Sequence, residues 1–384
     1  METLLFWLAV ATAAVFVAVA VEVFFGVRSI RFLRKMPPVS GPGLPKVSVV
    51  IPARNEERRV EEALRSVLAL DYEPIEFLIV NDRSEDRTGE ILNRMAAADP
   101  RLEVVHVTDL PPGWMGKNHA LHLGGQRAAG DLLFFTDADI LMDPSTLRRA
   151  VGYLESQKLD HLTAAPWVRM PGALLEAFIG TFSLFFTLFT RPWKAKDPAS
   201  PRHLGIGAFN LIRTSVYRAV GGHAPIALRP DDDLKLGKLI KKNGYRQEFV
   251  FGQGVVAVHW YDSVGELIHG LEKNAFAGLE YRLGAVFVST VAVVLLHLWP
   301  WVAIFATQGA TRWLNAAVVV LILTLFAWNA PLAGVRRWLG ILYPVATALF
   351  VYIVARSAAL TLTQGGVRWR GTLYPLAELK ANKV

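Results

Sequence analysis

The chain has 384 residues, of which 53% are hydrophobic and 19% charged, and its mean hydropathy of +0.33 is more apolar than a water-soluble core requires. With no cysteine, a disulfide framework, a thiolate zinc site and a cysteine nucleophile are all excluded. The formal net charge of +8 raises nucleic acid as a partner, but Arg28, Arg31, Arg34 and Lys35 directly follow an apolar run, where anionic lipid headgroups are the simpler partner, so no nucleic-acid binding is expected.

Leu4 to Val21 is an uncharged apolar run of spanning length, followed by those four cations, and predicts an anchor with its N-terminus outside and its C-terminus inside. The competing reading is a cleaved signal peptide, since Ala18-Val19-Ala20 imitates a cleavage site, but no Lys or Arg precedes the run. The basic, Pro- and Gly-rich stretch 28–45 reads as a linker, after which Lys46 to Ile51 is a buried strand of β-branched residues. Helical spacing at Val60, Ala63, Leu64, Val67 and Leu68 then precedes a second strand, Ile75 to Val80. The alternation continues with a helix over Thr88 to Ala98, a strand Leu102 to Val107, a helix over Asn118 to Ala129 and a strand Leu132 to Thr136. Strand, helix, strand order demands parallel crossovers and predicts an α/β fold with an open, doubly wound, mostly parallel Rossmann-like sheet.

Such sheets bind ligands beyond the carboxyl ends of their strands, and three of these ends are polar: Pro52-Ala53-Arg54-Asn55-Glu56, Asn81-Asp82-Arg83-Ser84 and Asp137-Ala138-Asp139. No G-x-G-x-x-G follows the first strand, which demotes a hydride-transfer enzyme. Asp137 and Asp139 stand two apart in extended chain, so both carboxylates point the same way, as a hard divalent ion such as Mg2+ or Mn2+ on a diphosphate requires. The bland alternative is a polar strand end leading to the helix after Pro144. Asp82 is expected to be free to bind a base or ribose, with Ser84 and Asp86 left to cap the next helix; Lys117, beside the turn Gly113 to Gly116, is a candidate for the diphosphate or else a solvated lysine. In Asp231-Asp232-Asp233 one carboxylate serves as N-cap, and mutual repulsion raises a pKa toward that of a general base, opposed by the helix dipole.

Downstream, Ala173 to Thr190 is Phe-rich and interrupted by Glu176, so it lies either in the membrane interface or in the core, and 261–284 reads as an interfacial amphipathic helix. The region 285–363 holds three apolar segments, Ala285 to Thr307, Asn315 to Ala330 and Gly340 to Leu362, and 364–384 is a basic tail. Three spans would put that tail outside, whereas Arg368, Arg370, Lys380 and Lys383 favour inside, so one segment is re-entrant or paired differently.

Together, Val47 to Glu56, Asn81 to Ser84, Thr136 to Asp139 and Asp232-Asp233-Leu234-Lys235-Leu236-Gly237 resemble family 2 glycosyltransferases of the GT-A fold over about Lys46 to Tyr245, within an expected domain of residues 46–260. Pro111 to Lys117 and the apolar C-terminal third resemble the hopene-associated and carotenoid-type branch. The resemblance implies that Pro52, Ala53, Asn55, Glu56, Asp82, Lys117 and Asp137 hold a nucleoside-diphosphate sugar, a UDP-sugar being expected. It further implies that Asp137 and Asp139 carry Mg2+ or Mn2+, and that Asp233, beside Asp232 where the family usually has Glu, is the base of an inverting transfer. Gly205 to Asn210 falls where relatives shape the acceptor site. Gln364 to Trp369 is similar to the Gln-x-x-Arg-Trp motif of membrane relatives, with one extra residue. The expected protein is a multi-pass enzyme of the cell (inner) membrane, residues 1–27 its anchor and its catalytic domain cytoplasmic, acting on a lipid or membrane-associated hydroxyl. A processive polysaccharide synthase, a membrane nucleotidyltransferase and a non-catalytic scaffold are the alternatives.

Overall fold

The computed structural model describes residues 2–384. It divides into a helical unit, residues up to 29 with 168–191 and 260–376, and an α/β unit, residues 30–167, 192–259 and 377–384. The apolar run at the start forms α1 (Glu2–Arg28), a longer helix than its uncharged stretch alone.

The α/β unit then proceeds through β1 (Val47–Ala53), α2 (Val60–Leu68), β2 (Ile75–Asp82), α3 (Thr88–Ala98), β3 (Leu102–Val107), α4 (Gly116–Arg127), β4 (Leu132–Phe135), β5 (Ile140–Met142), α5 (Thr146–Ser156) and β6 (His161–Ala165). After β7 (Trp167–Arg169) and α6 (Ala173–Thr190), it resumes with β8 (Asn210–Arg213), α7 (Thr214–Ala219), α8 (Asp232–Lys242), β9 (Gln247–Phe251) and β10 (Val256–His259). The main sheet has seven strands in the order β3-β2-β1-β4-β8-β6-β9. β1 runs parallel to both β2 and β4, and β2 to β3, as the strand and helix alternation requires. β8 is the exception, antiparallel to both β4 and β6. It is reached through α6 and the irregular stretch 191–209 instead of a crossover helix that repeats the strand's direction, so periodicity alone did not reveal it.

Both faces of the sheet are covered, which is why β1 and β4 are almost wholly apolar and buried. On one face Val50, Leu78, Leu133 and Phe135 pack with Leu121 of α4 and Ile240 of α8 in a single cluster. The stretch expected as a linker is packed as well. Phe32 bridges to Phe251, the Val39 N–H donates to the Arg148 carbonyl at 3.1 Å, and the Arg31 guanidinium lies over the Tyr153 ring.

The helical unit continues with α9 (Val264–Ala275), α10 (Leu283–Val293), α11 (Trp299–Ala306), α12 (Gly309–Asn329) and α13 (Tyr343–Thr363), and then the antiparallel hairpin β11 (Gly366–Trp369) and β12 (Thr372–Pro375). The expected amphipathic helix over 261–284 is shorter than read: Ser263 Oγ accepts the Glu266 N–H at its start, and left-handed backbone at Glu280 and Tyr281 breaks the chain before α10. Among the described residues, five helical stretches are long and apolar enough to cross a membrane: Glu2–Arg28, Ala173–Lys194, Leu283–Ala306, Gly309–Ala333 and Arg337–Thr363. The chain closes with α14 (Leu376–Ala381).

Candidate active site

The polar ends of β1 and β2 are tied to each other. Asn55, with φ of 54°, donates its N–H to Ser84 Oγ at 3.0 Å and accepts the Glu85 N–H on Oδ1 at 2.8 Å. The Glu56 N–H donates to Thr88 Oγ1 at 2.8 Å, and the Glu57 N–H to Asp86 Oδ2 at 3.1 Å. Pro52 and Ala53 pair in register with Val80 and Asn81, so the two loops leave the sheet side by side. Ser84 therefore holds the first loop instead of capping α3, while Asp86 Oδ1 accepts the Thr88 N–H.

Asp82 requires a correction. Its carboxylate is not free: Arg83 grips it through Nε at 2.7 Å and Nη2 at 3.1 Å, and Arg54 Nη1 stands 3.7 Å away. The planar guanidinium fork beside it satisfies both oxygens. A ligand hydrogen-bonding to Asp82 has to share those oxygens with Arg83 or displace it.

Around the end of β4 four of the expected residues come together. Lys117, in the first turn of α4, puts Nζ 2.8 Å from Asp137 Oδ1 and 3.7 Å from Asp232 Oδ2. The Gly207 N–H donates to Asp233 Oδ2 at 2.7 Å, and the Leu234 N–H to Oδ1 at 2.7 Å. Lys117, Asp137, Asp232 and Asp233 line one small cavity with Thr136, Gly207 and His223. Two glycines make this closeness possible. A Cβ on Gly207 would stand 2.6 Å from Asp137 Oδ2, and one on Gly205 would stand 2.0 Å from the Asp233 carbonyl.

The electrostatics follow from that crowding. Burial pushes the Asp233 carboxyl above the ordinary carboxylate range, with Asp137 adding to the shift; Lys117 and the two backbone N–H donors oppose it without reversing it. Burial, then the charges of Asp137 and Glu56, push Asp139 up to about 7. Burial works against the Lys117 ammonium, but Asp137, Asp232 and Asp233 outweigh it and raise its pKa, so it stays charged. The charges of Asp137 and Glu56 thus disfavour the Asp139 carboxylate, a repulsion that a divalent cation would relieve, and the hard carboxylate oxygens of Asp137 and Asp139 fit such an ion. Among the described residues no three His, Cys, Asp or Glu side chains cage a metal by themselves. An ion held on Asp137 and Asp139 would draw its remaining ligands from phosphate oxygens and water, the usual habit of Mg2+.

The third acid of the run is committed elsewhere. Asp231, at the N-cap position of α8, makes no side-chain cap bond; Arg229, itself 1% exposed, holds it from Nε at 2.8 Å and Nη2 at 3.0 Å. The expectation of a capping carboxylate therefore gives way to a buried ion pair that fixes the backbone just before Asp232. Sequence reasoning also missed Asn118, whose Nδ2 donates to the carbonyls of Ile226, Ala227 and Arg229 at 2.9, 3.1 and 2.8 Å. Because it adjoins Lys117, it joins α4 to the segment that carries the acids. His223, buried in the cavity wall against Tyr217 Oη at 2.8 Å, is pushed by desolvation, and then by Lys117, to about 3 and remains neutral. In the hairpin, Trp369 packs under Lys273, whose Nζ lies 4.0 Å from the ring centroid.

Known proteins resemble this chain over the same region. Residues 48–220 match the model of Glycosyl transferase family 2. A 4,4'-diaponeurosporenoate glycosyltransferase of Staphylococcus haemolyticus is 29% identical over 239 residues, covering 60% of this chain and 61% of the relative. The protein named "Probable glycosyltransferase YdaM" of Bacillus subtilis is 30% identical over 200 residues, covering 50% of this chain and 46% of the relative. The chain thus spans about half the length of the curated relatives it matches. Among solved structures, the mannosyltransferase PcManGT from Pyrobaculum calidifontis, in complex with GDP-Man and Mn2+, aligns with a TM-score of 0.55 and 21% identity over 93% of this chain and 98% of that one. That likeness is one of fold, with a mostly parallel central sheet. Residues 48–220 thus match a family 2 glycosyltransferase domain, and the fold around them is GT-A-like α/β.

Proposed function

We propose that the protein is a membrane-bound inverting glycosyltransferase that moves a sugar from a nucleoside-diphosphate sugar to a lipid or membrane-associated hydroxyl. One observation carries the reading: a cation, Lys117, and the carboxylates of Asp137, Asp232 and Asp233 face a single cavity at the ligand edge of the sheet. Asp233 is the base. Aimed by two backbone N–H groups and less acidic than a solvated carboxylate, it accepts the acceptor's hydroxyl proton as that oxygen bonds to the anomeric carbon. The bond from that carbon to the diphosphate oxygen breaks on the opposite face, and Lys117 binds the departing diphosphate. A divalent ion on Asp137 and Asp139, when bound, neutralises charge developing on that leaving group. A relative named for a carotenoid-type substrate supports a lipid acceptor, and a fold neighbour solved with GDP-Man and Mn2+ agrees with the donor class and the ion.

The test is incubation of purified protein with Mn2+, a panel of labelled nucleotide sugars and total lipid extract. One labelled lipid, formed with stoichiometric nucleoside diphosphate, is expected. Pyrophosphate release from a nucleoside triphosphate would instead mark a nucleotidyltransferase, and an inert folded protein a scaffold.

Membrane topology belongs to the same proposal. Residues 377–384 are part of the α/β unit, so the chain leaves that unit after His259 and rejoins it, which requires an even number of crossings between. Strands β6 and β8, on either side of α6, share one sheet, so α6 does not cross. Its two ends carry ion pairs, Glu176 with Arg336 at 2.9 Å and Arg191 with Glu22 at 3.2 Å, which are costly in hydrocarbon. Arg356 of α13 likewise meets Glu272 of the amphipathic α9 at 2.6 Å. We therefore assign α1, Leu283–Ala306 and Gly309–Ala333 as spans and put α6 and α13 at the cytoplasmic interface. This leaves Arg28, Arg336, Arg337, Arg368 and Lys380 inside. The absence of native cysteine gives a clean test: in intact cells an impermeant maleimide should label Ala310→Cys but neither Trp338→Cys nor Lys383→Cys. Labelling at 338 or 383 would refute the assignment.

A further inference from the structure

The acids of the site hang from a segment with little regular structure of its own. Residues 225–229, just before Asp231 to Asp233, have their backbone polar groups taken up mainly by two asparagines from distant parts of the chain. On one side Asn118 donates to the carbonyls of Ile226, Ala227 and Arg229, and the Met115 N–H donates to Ala227 O at 2.8 Å. On the other, Asn382 accepts the Leu228 N–H on Oδ1 at 3.0 Å and donates from Nδ2 to Pro225 O at 2.9 Å. A carboxamide is the side chain that does both at once, since it offers an acceptor and a donor a fixed distance apart. Asn382 does not stand alone. Leu379 is fully buried, Lys238 Nζ of α8 donates to the Val384 carbonyl at 2.6 Å, and Val384 packs with Leu239 and Tyr245 against the cluster beneath the sheet.

We propose that residues 377–384 are a strap that sets the position of the acid pair for the transfer reaction, with Asn382 as its positioning residue. The chain enters this strap directly from the membrane-directed segments 260–376, and the strap completes the seating of Asp232 and Asp233 against Lys117 and Asp137. The donor-binding loops after β1 and β2 have their own hydrogen bonds, to Ser84, Asp86 and Thr88, and do not depend on it. The strap thus acts on the chemical step more than on donor capture. This inference rests on the proposed transfer activity.

Asn382→Ala is the test, in the full-length protein in detergent or nanodiscs. The turnover number should fall about tenfold while the KM for the nucleotide sugar changes less than about twofold, as expected when an interaction specific to the transition state is lost. Asn382→Asp, which keeps the acceptor for Leu228 but loses the donor to Pro225, should fall between the two. Lys383→Ala, exposed beside it, should match wild type. Hydrogen exchange at the amides of 225–233 should quicken in Asn382→Ala, and more so in a chain ending at Ala381. A variant that melts lower but keeps wild-type turnover, KM and exchange in 225–233 overturns the strap. If wild type itself transfers no sugar, the functional reading fails, whereas the exchange measurement still decides whether Asn382 holds the segment.

Discussion

Replacing Asp233 with Asn is expected to lower the turnover number by about 10²–10⁴-fold, the usual worth of a positioned general base, with donor KM nearly unchanged. The carboxamide has the same shape and keeps one of the two backbone N–H bonds, to Gly207 or Leu234, so the cavity persists without a proton acceptor. The pH profile should separate the two proteins further. Wild-type activity rises as Asp233 deprotonates, through a pKa above that of a solvated carboxylate, and this limb vanishes in Asp233→Asn. Stability follows the opposite course. A carboxyl whose pKa is raised on folding contributes fully below the unfolded value of about 3.9, and that contribution is lost as pH rises through the folded value. As pH rises from the ordinary carboxylate range through the raised folded value, then, the difference in melting temperature should move in favour of Asp233→Asn. A variant with turnover within about tenfold of wild type would remove Asp233 from the base role and pass it to Asp232.

Asp137→Asn is the second large effect. This carboxylate is both the 2.8 Å partner of Lys117 and one of the two proposed ligands of the ion. Losing it takes away stabilisation of the leaving diphosphate on two counts, and a fall of roughly 10²-fold or more is expected, equivalent to about 3 kcal/mol in the barrier. Binding should report it independently of turnover. Wild-type protein should gain thermal stability from Mn2+ and nucleoside diphosphate together, as any ligand selective for the native state confers, and Asp137→Asn should gain much less. Chelation of divalent ions should bring wild type down to the variant's rate. Full activity under chelation, with Asp137→Asn unimpaired, would exclude the metal-assisted reading.

Much of this architecture could be read directly from the residues. The pattern of short β-branched runs and amphipathic stretches up to Phe135 yielded the four parallel strands β1 to β4 and the helices between them, because both periodicities are local. Strand-end acids were legible for the same reason, since they follow a buried run. What escaped is long-range. The reversal of β8 depends on where an irregular segment brings the chain back, and no window around Asn210 to Arg213 encodes it. The occupation of Asp82 by Arg83 turns on a rotamer, and the pairing of Asp231 with Arg229 turns on burial. Asn118 and Asn382 bind the same segment from positions more than a hundred residues away, through single carboxamides that carry no periodic signal. The apolar helices posed a different difficulty. Hydropathy counts stretches able to cross, and it is the shared sheet on either side of α6 and the return of residues 377–384, both long-range features, that the proposed assignment of spans draws on.

The contact at Gly205 limits how this site can be reshaped. With no room for even a methyl group between that residue and the backbone of Asp233, the loop and the start of α8 are interlocked and cannot slide past each other. Attempts to widen acceptor range by randomising 205–207 should therefore return mostly dead clones.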